Sequence, residues 1–584
     1  MKTNLYKKVF GVFIVIAVMA VSCKDNYLDV PATGSLSDAQ LATKAGIEGA
    51  LIGAYSNLTG RGFGSIGGSR YNSPNNWVFG SVLGGDTNKG TDPGDYNAIN
   101  TVQRYETEPT QGDLNNAWQT KYEGVARCNA VLNLLKSAKG IADADVKRIT
   151  GEARFLRGHY YFELKKIWNS VPYVDETMDQ NAAAKVKNSP AFWDKIEADF
   201  KFAYDNLPET SAQAGRANKW AAACYLGKAY LFQKKWADAE SIFDNAIANG
   251  KTTNGKKYGL VKSFREIYNA ANDNNEESIF AVQTSMNTGS TNNANWFDDL
   301  NYPYNTGQDG PGNCCGFNQP SFDAANSFRT DANGLPLLDG SYNSAANALK
   351  NDYGIESSAA FTPDAGNVDP RLDHSIGRRG IQYLDWIKHP GKNWIRNQPY
   401  AGPYSPKKYI YYKSQENTLT DGSSWTRGYA TMNYTIIRFG DVLLMDAEAK
   451  IEQGKLEAAR ALVNQIRARA ADPATWVKNA DGSNAANYVI GLYNTPWTDK
   501  TAATNALRME RKLELTQEGH RFFDLVRWGV ADPVLNAYLA NESKLLVTMF
   551  GGASFKSGKA EYLPIPQTQI DIQGKDILTQ NPGY

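Results

Sequence analysis

The sequence predicts an all-α protein, a solenoid of stacked helix pairs with a large, loop-rich irregular lobe inserted into it. Apolar residues recur at helical spacing over about residues 114–257 and again over about 433–584. The stretches between them, about residues 55–113 and 258–432, are rich in Gly, Asn and aromatic residues. A loop region of this length inside a compact protein is usually functional or disordered. Its aromatic content argues against disorder.

The repeat signal is clearest between residues 226 and 246. Small and large residues there stand at the spacing of a tetratricopeptide repeat: Leu226, Gly227, Tyr230, Ala239, Phe243 and Ala246. Gly227 and Ala239 would let two antiparallel helices approach closely, while Tyr230 and Phe243 fill the groove between them. Fainter copies follow the same pattern at Gly158 and Tyr161, and at Ala447, Ala459, Val463 and Ile466. Helix pairs of this kind stack into a solenoid.

Residues 510–529, ERKLELTQEGHRFFDLVRWG, carry the densest mixture of charged and aromatic side chains. On one helix, residues three apart would form a ladder of opposite charges: Arg511 with Glu514, Glu518 with Arg521, Arg521 with Asp524, and Asp524 with Arg527. A partly buried salt-bridge network is the favoured interpretation. The alternative is a metal site made of Glu518, His520 and Asp524. The chain holds only four His, which disfavours a catalytic metal.

Composition narrows the classes of function. Lys plus Arg is 62 and Asp plus Glu is 61, so no positive excess attracts nucleic acid. The sequence contains no GxSxG, HExxH or Walker A motif, and we expect no enzyme activity. No cofactor is expected. Structural calcium among the Asp and Asn residues of the insertion stays open, although no EF-hand loop is present.

The N-terminus has the pattern of a bacterial lipoprotein signal. Lys2, Lys7 and Lys8 precede an apolar run over residues 9–21, which is too short to span a bilayer comfortably. The run ends in Ala-Val-Ser-Cys, so residues 1–22 are predicted to be a signal peptide and Cys23 the lipidated residue. Residues 23–36 would form a tether, and 37–584 one domain. An uncleaved membrane anchor is the alternative.

Four further cysteines would lie in an oxidising compartment. Cys128 and Cys224 stand in helical stretches beside Ala and Leu, which favours buried free thiols. Cys314 and Cys315 are adjacent, and a disulfide between neighbours needs unusual geometry. A vicinal disulfide and two free thiols therefore both stay open.

Four segments together resemble the SusD/RagB family: residues 23–38, 436–470, 510–529 and 563–584, in that order along the chain. The family consists of outer-membrane lipoproteins that bind glycans beside a TonB-dependent transporter. The resemblance implies a surface-exposed, lipid-anchored protein that captures oligosaccharides or polysaccharides and delivers them to a SusC-like transporter. It also implies that ligand contacts come from an early loop and the mid-chain insertion.

Three sets of residues in those loops are the candidate glycan contacts. A protein that binds sugars needs exposed aromatic rings with polar side chains beside them. The sets are Trp77 with Asn76 and Asp86, Trp296 with Tyr302 and Tyr304, and Trp394 with Arg396. Trp296 is the first choice, as an exposed platform for a sugar ring. The competing interpretation of each aromatic is a core residue that packs the lobe onto the solenoid.

Two other functions stay open. A lipid-anchored glycoside hydrolase is the best enzyme alternative, because a catalytic pair of carboxylates leaves no short motif. A helical-repeat scaffold that binds a peptide or protein would follow from the solenoid alone, but it leaves the aromatic loops unexplained.

Overall fold

The computed structural model describes residues 38–62, 69–290, 293–312, 314–422, 426–427 and 429–584. The predicted signal peptide, Cys23 and the tether lie outside these residues. The described helices of seven or more residues are α1 Lys44–Ser56, α2 Gly112–Ser137, α3 Asp143–Trp168, α4 Trp193–Asn206, α5 Lys219–Phe232, α6 Trp236–Asn249, α7 Phe439–Glu452, α8 Leu456–Ala470, α9 Lys500–Leu515, α10 Arg521–Arg527, α11 Ala531–Glu542 and α12 Gln567–Gln573. None of the described helices has both the length and the apolar character needed to cross a bilayer.

The long helices form one continuous row. Each of α2 to α6 packs against the next helix in the chain, and α7 packs against α8 and α9. α6 also packs directly on α7, although the insertion separates them in sequence. The row therefore runs past the insertion without a break, and the predicted all-α, helical-repeat fold class is confirmed.

Close contacts between helices at two glycines support the predicted helical repeat. A Cβ atom built on Gly227 of α5 would lie 2.5 Å from a ring carbon of Phe243 in α6. A Cβ on Gly158 of α3 would lie 2.8 Å from the ring of Phe200 in α4. Real Cβ atoms do not approach so closely, so each glycine makes room for an aromatic ring on the facing helix. The predicted contact at Gly227 is confirmed.

Short strands and helices hold the irregular lobe together. Its strands are β1 Thr87–Gly90, β2 Ser278–Val282, β3 Phe317–Pro320, β4 Ile376–Gly377, β5 Ser405–Pro406, β6 Thr420–Asp421, β7 Tyr429–Ala430 and β8 Tyr434–Arg438. They pair antiparallel as β1 with β3, β2 with β8, β4 with β5, and β6 with β7. The short helices of the lobe are Ala98–Gln103, Phe322–Asn326, Leu372–Ser375 and Gln398–Ala401, and Trp77–Val82 is a π-helix. Outside the lobe, the described short helices are Asp38–Leu41, Gln180–Ala183 and Val547–Phe550.

Two of these strand pairs decide where the lobe sits. The β2–β8 pair joins the beginning of the insertion to its end, with Ser278 opposite Arg438. The β1–β3 pair joins the early loop to the middle of the insertion, with Gly90 opposite Phe317. The two loop regions of the sequence are thereby combined into one body.

The lobe and the helix row share one hydrophobic core. The ring of Phe280 in β2 lies 4.8 Å, centroid to centroid, from Phe155 of α3. Trp77 and Trp296 of the loops are as fully buried as Trp168 of α3. The aromatic residues of the loops therefore serve largely as core.

A buried ionic network replaces the charge ladder expected over residues 510–529. α9 ends at Leu515 and α10 begins at Arg521, so the stretch is not one helix. Of the four expected pairs, Asp524 with Arg527 forms, at 2.8 Å, and the other three are not found among the described ion pairs. The prediction of a helical ladder was wrong, because most residues of this stretch pair with side chains from other elements. The predicted salt-bridge network is present.

Glu514 lies at the centre of this network. Its carboxylate pairs with Arg371 at 3.0 Å, with Arg438 at 2.7 Å and with Arg469 at 2.5 Å. We call the connected set the Glu514 network: Glu277, Asp369, Arg371, Lys408, Arg438, Arg467, Arg469, Glu510, Glu514 and Glu518. All ten side chains are buried. The network fixes α8 and α9 against the insertion.

Ion pairs occupy two of the three residues proposed as a metal trio. Glu518 pairs with Arg438 and Lys408, each at 2.8 Å, and Asp524 pairs with Arg511 at 2.9 Å. Burial lowers the pKa of His520 to about 4. In the part of the chain that the structure describes, no group of three or more His, Cys, Asp or Glu side chains is placed to hold a metal. Structural calcium among the Asp and Asn residues of the insertion stays a prediction.

The cysteines follow two patterns. Cys128 and Cys224 are buried free thiols, as expected, and burial raises the pKa of both. Cys314 and Cys315 are joined by a disulfide, which resolves the open alternative in favour of the vicinal bridge. The bridge lies just before β3, in the irregular lobe.

Candidate functional site

The eight candidate glycan contacts divide into two groups. Six are buried: Trp77, Asn76, Asp86, Trp296, Tyr302 and Trp394. Tyr304 and Arg396 are partly exposed and contact each other. The structure therefore places only part of the predicted set where a ligand can reach it.

Trp296 is 0% exposed, so the prediction of an exposed platform is wrong. Its indole N–H donates to the carbonyl of Thr59 at 3.0 Å. The guanidinium carbons of Arg61 and Arg70 lie 4.4 Å and 5.1 Å from its ring centroid. The Gly- and Asn-rich neighbours of Trp296 suggested that nothing would pack on it. Its partners are supplied instead by a segment more than 200 residues earlier in the chain.

The residues of the early set are also interior. Trp77 lies edge to face with Phe317 at 6.1 Å, and the amide of Asn76 donates to Glu163 of α3 at 3.1 Å. Asp86 accepts from the backbone N–H of Gln517 at 3.2 Å. Burial raises the pKa of Asp86 to about 6, although nearby cations oppose the shift. This set anchors the early loop to the solenoid and the α9–α10 connection.

The remaining two buried candidates pack within the insertion. Trp394 contacts Tyr383 and His389, with ring centroids 5.4 Å and 5.2 Å away. Tyr302 packs on Tyr411 at 5.7 Å. Both rings are core residues of the lobe, as the competing interpretation of the sequence proposed.

Tyr304 and Arg396, from two different predicted sets, meet at the surface of the lobe. The backbone N–H of Tyr304 donates to the carbonyl of Trp394 at 2.9 Å, which brings the two segments together. The guanidinium carbon of Arg396 then lies 5.4 Å from the centroid of the Tyr304 ring. Two aspartates of the early loop complete the group. We call Tyr304, Arg396, Asp92 and Asp95 the Tyr304 surface.

Ion pairs hold the polar part of this surface in place. Arg396 Nη2 lies 2.8 Å from Asp92 Oδ2, and Arg396 Nη1 pairs with Asp95 Oδ2. Asp92 Oδ1 also accepts from the backbone N–H groups of Gly94 and Asp95, at 2.8 Å and 2.9 Å. Burial alone would raise the pKa of Asp92, but these N–H donors and Arg396 outweigh it and lower the pKa. Asp92 is therefore a carboxylate at neutral pH.

The buried Lys89 holds the turn that carries Asp92 and Asp95. Lys89 Nζ donates to the backbone carbonyls of Asp92 and Asp95, each at 2.7 Å. Burial lowers the pKa of Lys89 to about 8, and the two aspartates oppose this shift. The ammonium therefore ties β1 to the turn that follows it. That turn carries both carboxylates of the surface.

The backbone conformation at the start of β3 favours a glycine beneath Tyr304, because φ is positive there. Gly316 has φ +77°, and a Cβ there would lie 3.5 Å from Tyr304 Cβ and 3.8 Å from Arg396 Cβ. Its carbonyl accepts from the backbone N–H of Thr91 at 2.6 Å. The half-buried Cys314 precedes it by two residues. The three segments of the Tyr304 surface are thereby packed on the start of β3.

The Tyr304 surface offers one aromatic ring beside a cation and two carboxylates. The side chains of Arg396, Asp92 and Asp95 are 30%, 29% and 32% exposed, so each has hydrogen-bonding capacity left for a ligand. Asp92 and Asp95 were not among the predicted contacts. The sequence signal for these two residues was a TDPGDY turn within the early loop region, but such turns are common on any surface.

Family models match two parts of the chain. A model described as "SusD family" matches residues 276–584, and one described as "Starch-binding associating with outer membrane" matches residues 75–231. The first covers more than half of the chain and includes most of the insertion, the end of the solenoid and the Glu514 network. The second covers part of the early loop, with Asp92 and Asp95.

Individual proteins agree with these matches. A SusD-like protein of Bacteroides ovatus is 25% identical over 276 residues, about half of each chain (46% and 48%). SusD-like protein P2 of Formosa agariphila is 22% identical over 99% of this chain and 100% of its own. Surface glycan-binding protein A from Bacteroides thetaiotaomicron, solved in complex with laminarihexaose, superposes with a TM-score of 0.63 at 20% identity, covering 92% of this chain and 99% of that one. The chain belongs to the SusD family.

Proposed function

We propose that this protein binds an oligosaccharide or polysaccharide on the Tyr304 surface. The observation that carries the proposal is the convergence of an aromatic ring, a guanidinium and two carboxylates from separate loops on one exposed patch. Membership in the SusD family and a similar fold solved with laminarihexaose support a glycan as the ligand.

The chemistry of the patch suits a polyhydroxylated ligand. The ring of Tyr304 presents an apolar face for the C–H face of a sugar, and its hydroxyl adds a polar handle. Arg396 donates hydrogen bonds, while Asp92 and Asp95 accept them from sugar hydroxyls. Charge-assisted hydrogen bonds are about twice as strong as neutral ones. Because the ion pairs already hold these side chains, little conformational entropy is lost on binding.

We infer that the surface binds without hydrolysis. A glycoside hydrolase needs a carboxylic acid with a raised pKa to protonate the leaving group. The pKa of Asp92 is lowered instead, and both Asp92 and Asp95 are paired with Arg396. Neither carboxylate has the environment of a general acid. An assay for reducing ends on the bound glycan would expose any activity.

We further propose that the protein works at the outer membrane, anchored through lipid on Cys23, and hands its ligand to a SusC-like TonB-dependent transporter. The leader sequence and the description of the matching family model support this location. Cys23→Ala should release the protein from the membrane fraction. Unchanged membrane fractionation of that variant would remove the anchor from the proposal.

Calorimetry with a panel of glycans, laminarihexaose among them, tests the binding proposal. Tyr304→Ala should lower the affinity for the ligand by about thirtyfold, the loss of an interfacial hot spot of about 2 kcal/mol. Tyr204→Ala, on the half-exposed tyrosine of α4, is the matched control and should bind normally. If Tyr304→Ala binds as tightly as the unmodified protein, the site lies elsewhere.

A further inference from the structure

A cavity lies away from the Tyr304 surface and shares no residue with it. Its volume is about 700 Å³, within the usual range for small-molecule sites. It opens between α9, α10, α11 and the turn around residue 340. The wall is mainly apolar and includes Leu338, Met509, Leu525, Val534 and Ala537. Nothing in the proposed glycan function uses this space.

Two arginines line the cavity without a close counter-ion. Within the described residues, the nearest carboxylate oxygen to Arg521 belongs to Asp86, at 3.8 Å, and no ion pair reaches Arg508. The guanidinium of Arg508 stacks on Trp528, with its carbon 4.9 Å from the ring centroid. Burial lowers the pKa of Arg508, and the more distant carboxylates of Glu448, Glu452 and Asp524 only partly oppose the shift. Burying a charged group is costly unless the group is paired.

Other cations on the same helix, α9, do have close counter-ions. Arg511, three residues after Arg508, pairs with Asp441 and Asp524, both at 2.9 Å. Lys512 pairs with Asp323 at 2.6 Å. Arg511 and Lys512 therefore have close counter-ions. Arg508 and Arg521 do not, although Lys512 lines the same cavity.

The other charges of the cavity do not neutralise the two arginines. Asp323 is occupied by Lys512 and by the amide of Asn343. Asp339 and Lys544 are exposed and offset each other in charge. The lining therefore keeps a positive excess from Arg508 and Arg521. In addition, the buried hydroxyl of Tyr538 and Nε of Arg508 lack a hydrogen-bond partner among the described residues.

We propose that this cavity binds a small organic carboxylate, with the carboxylate near Arg508 and Arg521 and the non-polar body against the aliphatic wall. Arginine suits this role because its planar guanidinium can donate two parallel hydrogen bonds to a carboxylate. The volume accommodates one or two six-membered rings. An acidic sugar unit and a non-sugar organic acid share this chemistry, and the experiment separates them.

Calorimetry on the full chain would compare two matched pairs of probes: glucuronate with glucose, and phenylacetate with phenylacetamide. We expect at least one carboxylate to bind, and its neutral partner to bind at least about tenfold more weakly, since the hydrogen bonds to the charged group are lost. Binding of glucuronate alone would identify a carboxylated sugar, and binding of phenylacetate alone a non-sugar acid. Failure of both carboxylates, or equal binding of the neutral partners, would overturn the proposal.

Variants then locate the binding. Arg508→Met and Arg521→Met should each lower the affinity for the carboxylate probe by at least about tenfold. Ala537 is exposed on α11 and lines the cavity, so Ala537→Trp should fill the space without disturbing the core, and should abolish binding. Arg460→Met, on a surface arginine of α8 paired with Glu457, is the control and should bind normally. Full binding by Ala537→Trp would show that the carboxylate binds elsewhere.

Discussion

The Glu514 network and the Tyr304 surface are built from the same kinds of charged side chain, and they differ in burial. In the network, Glu514 is 0% exposed and satisfies three arginines at once. Its hydrogen-bonding capacity is used up within the protein, so nothing is left for a ligand. A closed cluster of this kind specifies how elements join.

At the Tyr304 surface, one arginine holds two carboxylates that are each about 30% exposed. Solvent still reaches every member, and a ligand hydroxyl can take the place of water. Arg508 and Arg521 represent a third case, since they line a cavity without a close counter-ion. Exposure and the balance of charge, more than residue type, separate a structural cluster from a binding site.

The largest expected effect is at the centre of the network. Glu514→Gln removes the charge that three buried arginines share, and breaking a buried ion pair typically costs about 3 to 5 kcal/mol. Asp95→Asn at the Tyr304 surface breaks an exposed pair and should cost about 1 kcal/mol or less. Urea unfolding of both variants measures the difference. Similar losses would mean that burial does not separate the two clusters.

A second comparison sets Trp296 against Tyr304. Trp296→Ala removes a fully buried ring and should lower the free energy of unfolding by about 3 to 5 kcal/mol. Tyr304→Ala leaves no buried cavity and should change it by about 1 kcal/mol or less. Thermal melts of the two variants provide the test. A stable Trp296→Ala variant would restore Trp296 as a candidate contact.

The smallest effect concerns pH. Burial would raise the pKa of Glu518, but Arg438 and Lys408 outweigh it and lower the pKa from 4.5 to about 2. Because the folded-state pKa lies below the unfolded one, the stabilisation from Glu518 is present above about pH 4.5 and is lost as pH falls towards 2. Urea unfolding between pH 6 and 3 should show the gap between the unmodified protein and Glu518→Gln narrowing. A constant gap would contradict the assigned shift.

Sequence alone was sufficient for features whose partners are close along the chain. Gly227 and Phe243 belong to consecutive helices, so their spacing already predicted the contact that the structure shows. The helical fold class was also predictable from the sequence, because apolar periodicity indicates which face of each helix is buried. The candidate site draws on both loop regions named from the sequence, and ligand binding there stays a prediction.

Only the tertiary structure decided which side chains of those loops are exposed. The partners of Trp296 are Thr59, Arg61 and Arg70, and those of Glu514 include Arg371, all brought together by distant parts of the chain. An irregular loop has no periodicity that separates an inner face from an outer one, so burial there depends on long-range packing. Arg396 and Asp92 are about 300 residues apart in sequence, and the strand pair that unites their loops leaves no trace in either local pattern.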